Sequence, residues 1–357
     1  MLQHIQESTV AEARRATDDT AWDMSLAELK AFIALYVRGA YCGKNFDIGS
    51  FWSEEWGNTF FISTMSKNRF REIMRFLLFD RKETRRCRLT TDKFALMAEV
   101  WQRFTQNCTA CYRPGPAITV DEQLFPTKAR CRFTQYMPNK PDKFGIKFWL
   151  AADVNTKYML NGFPFLGKDD SRPATQCLGE SVVLKLVEPF IGKGRNVTTD
   201  NFFTSIPLAN KLLHKNTSMV GTINKNKRGL PPSVQGRGEL FSTKVLKSDK
   251  ITLTVYQCKL RRNVTILSTQ HQHVAISTDN KRKPETVTYY NRTKPGGPLR
   301  YFTTCWILLL SMPVCFTGAE NSIPRRDFML QLAQELRAEW MASKVALRVD
   351  VPLDGAD

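Results

Sequence analysis

Apolar residues recur at helical spacing through the first third of the chain, then give way to short runs with another period. Ser25-Leu-Ala-Glu28 is a capping box and predicts a helix whose Leu29, Phe32, Ile33 and Tyr36 share one face, with Gly39 near its end. Phe70, Ile73, Met74 and Leu77 mark a second stripe, and Phe94, Met97, Val100, Trp101 and Phe104 a third. Spacings of 3 and 4 are what a helix packed on a core shows, so all three read as core faces. The basic stretch Arg81-Lys-Glu-Thr-Arg-Arg-Cys-Arg88 between them reads as a solvated link, or as a phosphate contact if it lies beside a DNA groove.

From Pro114 the pattern changes. Ile118 to Phe125, Phe144 to Ala151 and Tyr158 to Phe165 are rich in aromatic and β-branched residues and are separated by Pro, Asn, Asp and Gly, which predicts three successive strands. Val182, Val183, Leu186, Val187 and Phe190 then return to helical spacing. Gly192-Lys-Gly-Arg195 turns the chain into a strand ending at Asp200, Ser205-Ile-Pro-Leu208 opens a helix to about Leu213, and Met219 to Ile223 is the next strand. This order predicts an α/β fold with a ribonuclease H-like core, a mixed sheet with flanking helices. Asn224 to Lys250 has the Lys, Arg, Gly, Pro and Ser content of an inserted, partly extended module, with a strand pair at Ile251 to Tyr256 and Val264 to Ser268.

Two aspartates fall where those strands end, Asp121 in Thr-Val-Asp-Glu and Asp200 in Thr-Thr-Asp-Asn. Carboxylates presented by adjacent strands suit a two-metal phosphodiester enzyme, because hard divalent cations take oxygen ligands and clamp the attacking and leaving oxygens. The bland alternative is a pair of solvated strand-end aspartates bonded to their own turns. No third carboxylate stands at an obvious position. Asp279 and Asp327 are the nearest substitutes along the chain, and each reads as a surface residue.

Charge narrows the partner. The 357 residues carry 52 Lys and Arg against 34 Asp and Glu, a net charge of +18, and the excess is spread along the chain. A polyanion is the natural partner of such a surface, and nucleic acid is the commonest one. Candidate DNA-contacting cations are Lys128, Arg130, Lys140, Lys143, Lys147 and Lys294. Phe144, Ile146, Phe148 and Leu150 read as the buried side of a strand whose other side shows Lys147. With 42% apolar residues the chain has ample material for a core. The apolar stretch from Cys305 to Phe316 is interrupted by Pro313 and is shorter than the roughly 20 residues of a membrane span, and Met1 to Arg15 is too polar for a secretory signal. Nine cysteines are scattered singly; Cys108 and Cys111 have no second pair at zinc-ligand spacing, and His271 and His273 have no third ligand.

Four ordered motifs carry a resemblance. Thr119-Val-Asp-Glu-Gln123, Pro138-Asn-Lys-Pro141 with Lys143-Phe-Gly-Ile-Lys147, Thr199-Asp-Asn-Phe-Phe-Thr-Ser205 and Tyr290-Asn-Arg-Thr-Lys294 together resemble the piggyBac family of transposases and the host proteins derived from it. Phe51-Trp52 and Phe70-Arg-Glu-Ile-Met-Arg-Phe76 fit the same pattern. The resemblance covers about Ala21 to Lys294. It implies a catalytic core with three or four aspartates that use Mg²⁺ or Mn²⁺, in which Asp121 matches the first and Asp200 the second. It also implies a nuclear, homodimeric protein that binds double-stranded DNA at transposon ends, cuts through hairpin intermediates and inserts at TTAA. The domains then expected are a helical dimerisation and DNA-binding region at 1–114, the core at 115–224, the insertion at 225–274, the end of the core at 275–298 and an altered helical segment at 299–357.

After Lys294 the wording departs. The family continues Gly-Gly-Val-Asp with another Asp shortly after, whereas this chain reads Pro295-Gly-Gly-Pro-Leu-Arg-Tyr301, and no carboxylate follows until Glu320. Family-like sequence resumes at Ile323 to Leu330, so Pro295 to Asn321 reads as replaced or misframed. The family's cysteine-rich zinc-binding tail is not present in the sequence. The expectation is therefore a transposase-derived DNA-binding protein with weak sequence preference and impaired catalysis; the alternatives are an active cut-and-paste transposase using an unrecognised third carboxylate and a non-catalytic protein-interaction module.

Overall fold

The computed structural model describes residues 1–42, 48–53, 55, 57–127, 131–138, 140, 143–168, 177–236, 238–294 and 325–349. The stretch Pro295 to Asn321, expected to be replaced or misframed, lies outside them. The chain divides into two compact units, Met1–Asn107 with Thr303–Asp357, and Cys108–Phe302.

The first unit is helical. It contains α1 (Leu2–Thr17), α2 (Leu26–Cys42), α3 (Thr59–Thr64), α4 (Lys67–Phe76), α5 (Lys82–Thr91), most of α6 (Ala98–Cys111) and α10 (Arg325–Val349). Ser25 caps α2 as its sequence requires, its Oγ accepting from the Glu28 amide at 3.0 Å. Glu28 itself turns to α4 and pairs with Arg69 at 2.7 Å, while the Arg69 guanidinium lies 4.6 Å from the Trp22 ring. Leu29, Phe32, Phe70, Ile73, Val100, Leu332 and Leu336 share one core. The carbonyls at the end of α3 are capped from α10, where Trp340 Nε1 donates to Thr64 O at 2.8 Å and Lys344 Nζ to the same oxygen at 2.9 Å. Cations at a helix C-terminus also meet its negative dipole end.

Arg81 to Arg88, expected as a loop, is instead largely helical, because α5 begins at Lys82. Asp80 explains the difference. It is buried just before the helix and accepts from Arg85 (2.6 Å) and Arg88 (2.7 Å), one helical turn apart. Burial alone would raise its carboxyl, but these hydrogen bonds hold it below its usual range. Glu12 on α1 plays the same part for Arg15 and Lys82, and the Arg15 hydrogen bond, ahead of Lys82, lowers its carboxyl from 4.5 to about 2. A depressed folded value means that its contribution is complete above about pH 4.5 and is lost as the pH falls toward about 2. Glu12→Gln is therefore expected to flatten the loss of thermal stability between these pH values, measured by circular dichroism. An unchanged acid slope would show that the Glu12 pairs contribute nothing.

The second unit is built on one mixed sheet. Its strands are β1 (Ala117–Pro126), β2 (Thr134–Tyr136), β3 (Phe144–Asp153), β4 (Met159–Pro164), β5 (Asn196–Thr199), β6 (Ser218–Thr222), β7 (Thr243–Ser248), β8 (Ile251–Lys259) and β9 (Arg262–Ser268). They run in the order β2-β3-β1-β5-β6-β9-β8-β7, with β4 also on β3. β1 is antiparallel to β3 and parallel to β5, and β5 is parallel to β6. The crossovers carry α7 (Leu178–Val187) and α8 (Ile206–His214), whose Val183, Leu186, Leu208 and Leu212 pack with Ile118, Val120 and Trp149. α9 (Glu285–Thr293) sends Val287 to a separate cluster with Val220 and Ile266. Segment 225–274 adds β7, β8 and β9 to the same sheet, joined through β9 to β6.

Central strands covered on both faces are apolar on both. β3 obeys this rule, so Trp149 is buried as fully as Leu150, and alternation alone misplaces it. Phe144, read as buried, is 59% exposed because it begins β3 beside the short edge strand β2, where its ring centre lies 4.8 Å from that of Tyr136.

Candidate metal centre

Asp121 and Asp200 reach one place because of register. Along β1 and β5 the parallel pairs are Ala117 with Asn196, Ile118 with Val197 and Thr119 with Thr198, so two residues further on the aspartates lie side by side. One oxygen each from Asp121, Glu122 and Asp200 lies within 4.8 Å of the others. From the sequence, only Asp279 and Asp327 are weighed as substitutes for a third carboxylate, and Glu122 has no assigned role. Here β1 runs on past its last pair with β5, so its flank is open at 121–122, and the longer Glu side chain reaches the same point. The adjacent Asp-Glu at a strand end was the available signal.

The turn after β5 is rigid. Asp200 Oδ1 accepts from the amides of Phe202 (3.0 Å) and Phe203 (3.4 Å), and its carbonyl accepts from the Thr204 amide at 3.0 Å. Thr199 and Thr204 join hydroxyls at 2.7 Å, and Lys227 Nζ donates to the carbonyls of Phe202 (3.0 Å) and Thr204 (2.8 Å). Gly221 on β6 sits against this pair so closely that a Cβ would lie 2.6 Å from Thr199 Oγ1 and 2.8 Å from Thr199 O. Backbone cannot yield cheaply, so Gly221→Ala is expected to destabilise the protein by about 1–3 kcal/mol. Thermal denaturation is the measurement, and a neutral change would mean the turn is softer than its bonds imply.

Around the carboxylates stand cations. Lys294 Nζ, at the end of α9, lies 2.7 Å from Asp121 Oδ2 and donates to Val120 O at 2.9 Å. Lys140 lies 3.5 Å from Glu122. Lys147 Nζ sits 3.8 Å from the centre of the Trp149 ring, and burial lowers its amine. Burial, then the charge of Asp121, raises the Glu122 carboxyl, and burial, then Asp200 and Asp121 after the Thr222 hydrogen bond, acts on the Tyr290 phenol in the same upward direction overall. Of the other expected DNA-contacting cations, Lys143 is exposed, while Lys128 and Arg130 lie outside the described residues.

The donor set suits a hard divalent cation. It is all oxygen, it is drawn together by the sheet, and three carboxylates so close repel one another, which a cation relieves. Asp153 shows the contrast: its buried carboxylate is fully used by Gly115, Asn155 and Thr156 donors and serves structure alone. Asp279 receives the Lys281 amide in an exposed turn, and Asp327 is exposed.

Residues 1–299 match the family model described as Transposase IS4. The chain belongs to the piggyBac-type transposases of that family. A human piggyBac transposable element-derived protein 3 is 29% identical over 140 residues, 38% of this chain and 23% of that protein. The human chimeric ERCC6-PGBD3 protein gives the same identity over the same length, 13% of its own. The chain thus spans under a quarter of the curated relatives it matches. A solved piggyBac transposase, imaged as a synaptic complex with hairpin DNA, superposes with a TM-score of 0.86 at 29% identity, covering 99% of this chain and 80% of that one. The ribonuclease H-like core and the piggyBac membership expected from the sequence both stand. Among the described residues no helix is long and apolar enough to cross a membrane.

Proposed function

We propose that this piggyBac-type protein binds duplex DNA in the nucleus as a homodimer and holds a divalent cation on Asp121, Glu122 and Asp200, with its ancestral cleavage and strand transfer at TTAA impaired. The helical region at 1–114 serves dimerisation and DNA contact in this reading, and 225–274 serves as the insertion. The observation that carries it is the convergence of three carboxylates within a chain of net charge +18. A bound Mg²⁺ or Mn²⁺ there supplies electrostatic stabilisation of phosphate oxygens. The protein's part is to fix Asp200 on its bonded turn, to fix Asp121 on β1, and to offer Lys140 and Lys143 to the DNA backbone. The solved relative's hairpin DNA makes transposon ends the first substrate to test.

A second reading has one observation behind it. Glu122 lies where a third ligand is needed, and an active transposase would use it. Titrating the protein into labelled transposon-end duplex with Mg²⁺ or Mn²⁺, and following both binding and strand breakage, separates the two. Binding without breakage supports the first, and breakage abolished by Glu122→Gln supports the second. Absence of DNA binding at low salt would overturn both.

A further inference from the structure

The acidic cluster is closed by a lysine from another element. Three carboxylates whose oxygens lie within 4.8 Å of one another repel strongly unless a cation stands among them. Lys294 is placed to be that cation. Thr198 on β5 donates to the Thr293 hydroxyl at 2.9 Å, and Lys294 closes α9 through its own amide on Tyr290 O at 2.8 Å. The end of α9 is thereby fixed over β1. The lysine side chain is only 10% exposed, with Nζ bonded to Val120 O and paired with Asp121 Oδ2 at 2.7 Å.

That geometry leaves a divalent ion without Asp121. Asp121 Oδ1 already accepts the Glu122 amide at 2.9 Å, and Oδ2 faces the ammonium. A hard cation needs its oxygen ligands at about 2.0–2.6 Å and cannot share this direction with Nζ. We propose that Lys294 is a tethered counterion that occupies the cation position at Asp121 and must be displaced before a divalent cation binds, so that it sets the cluster's cation affinity. This rests on the reading of the cluster as a cation site. The three carboxylates and Lys294 sum to −3 + 1 = −2, and removing the lysine restores −3. The Val120 carbonyl can retain the ammonium while it swings off Asp121. Lys294 then acts on the cation and not on DNA phosphate.

The test is binding of Mn²⁺ alone to the full chain at fixed pH, by calorimetry and by the paramagnetic resonance signal of free Mn²⁺. Lys294→Met is expected to bind Mn²⁺ about tenfold or more tightly than the unaltered protein. Adding Asp200→Asn should erase the gain, and the metal-free melting temperature of Lys294→Met should be lower and restored by Mn²⁺. Should Lys294→Met not fold, Lys294→Gln keeps a donor for Val120 without the charge and carries the same expectation. Equal or weaker affinity in the variant overturns the proposal. If no form binds Mn²⁺, the cation site itself fails with it, while duplex binding in a parallel gel-shift assay reports on the DNA reading independently.

Discussion

Incubated with transposon-end duplex and Mg²⁺ or Mn²⁺, the protein is expected to leave both strands intact under conditions where an active piggyBac transposase nicks and forms hairpins. The argument is one of charge. Two divalent ions bring four positive charges, whereas Asp121, Glu122 and Asp200 offer −3 even with Lys294 displaced, and Lys140 beside Glu122 offsets part of that, so one ion is balanced and a second is not. Activating a nucleophile and stabilising the leaving oxygen depend on a pair of ions about 4 Å apart, so the second ion's weakness removes most of the rate. Where the family resemblance leads one to expect Gly-Gly-Val-Asp and a further aspartate, this chain reads Gly296-Gly-Pro-Leu299. Restoring it together with the helix after it is expected to return cleavage. Strand breakage by the unaltered chain, lost in Asp121→Ala and Asp200→Ala, would overturn the impairment, and its further loss in Glu122→Gln would name the missing ligand.

The elements of this unit were legible because their sequences are locally consistent. Ile118 to Phe125, Ser205 to Leu213 and Met219 to Ile223 each carry both the period and the terminal signal of the element they form, and the observed bounds differ from these by one residue at each end. β7 was not legible: Thr243–Ser248 is polar, half of it lysine and serine, and becomes a strand by pairing with β8. α5 was hidden likewise, since its helicity is decided by Asp80, a residue outside the stretch. Asp121 and Asp200 were legible as strand-end aspartates, and the register of β1 and β5 brings them together. Glu122 was not legible, because only the fold shows that β1 outruns its pairs with β5 and brings this side chain within reach of both aspartates. Lys294 was found but given the wrong surroundings to expect, because no local pattern tells that an amine 173 residues beyond Asp121 folds back onto it (294 − 121 = 173).

Duplex DNA affinity is expected to fall about 10³-fold or more between 50 and 200 mM salt, with little difference between transposon-end and unrelated sequence. The excess of 18 positive charges is distributed over the chain, and a footprint that neutralises even about six phosphates releases enough counterions to give that slope. Phosphate contacts carry no sequence information, so a footprint driven by charge binds sequences alike. Lys143, exposed at the start of β3, and Lys140, only partly engaged by Glu122 at 3.5 Å, are the core's available contributors. Lys143→Gln should weaken binding uniformly across sequences and reduce the salt slope by about one. Lys294→Gln should change neither, because its ammonium faces Asp121. Fluorescence anisotropy across a salt series measures all of these. A salt-independent affinity would remove phosphate from the account, and a slope reduced by Lys294→Gln would return that lysine to the DNA.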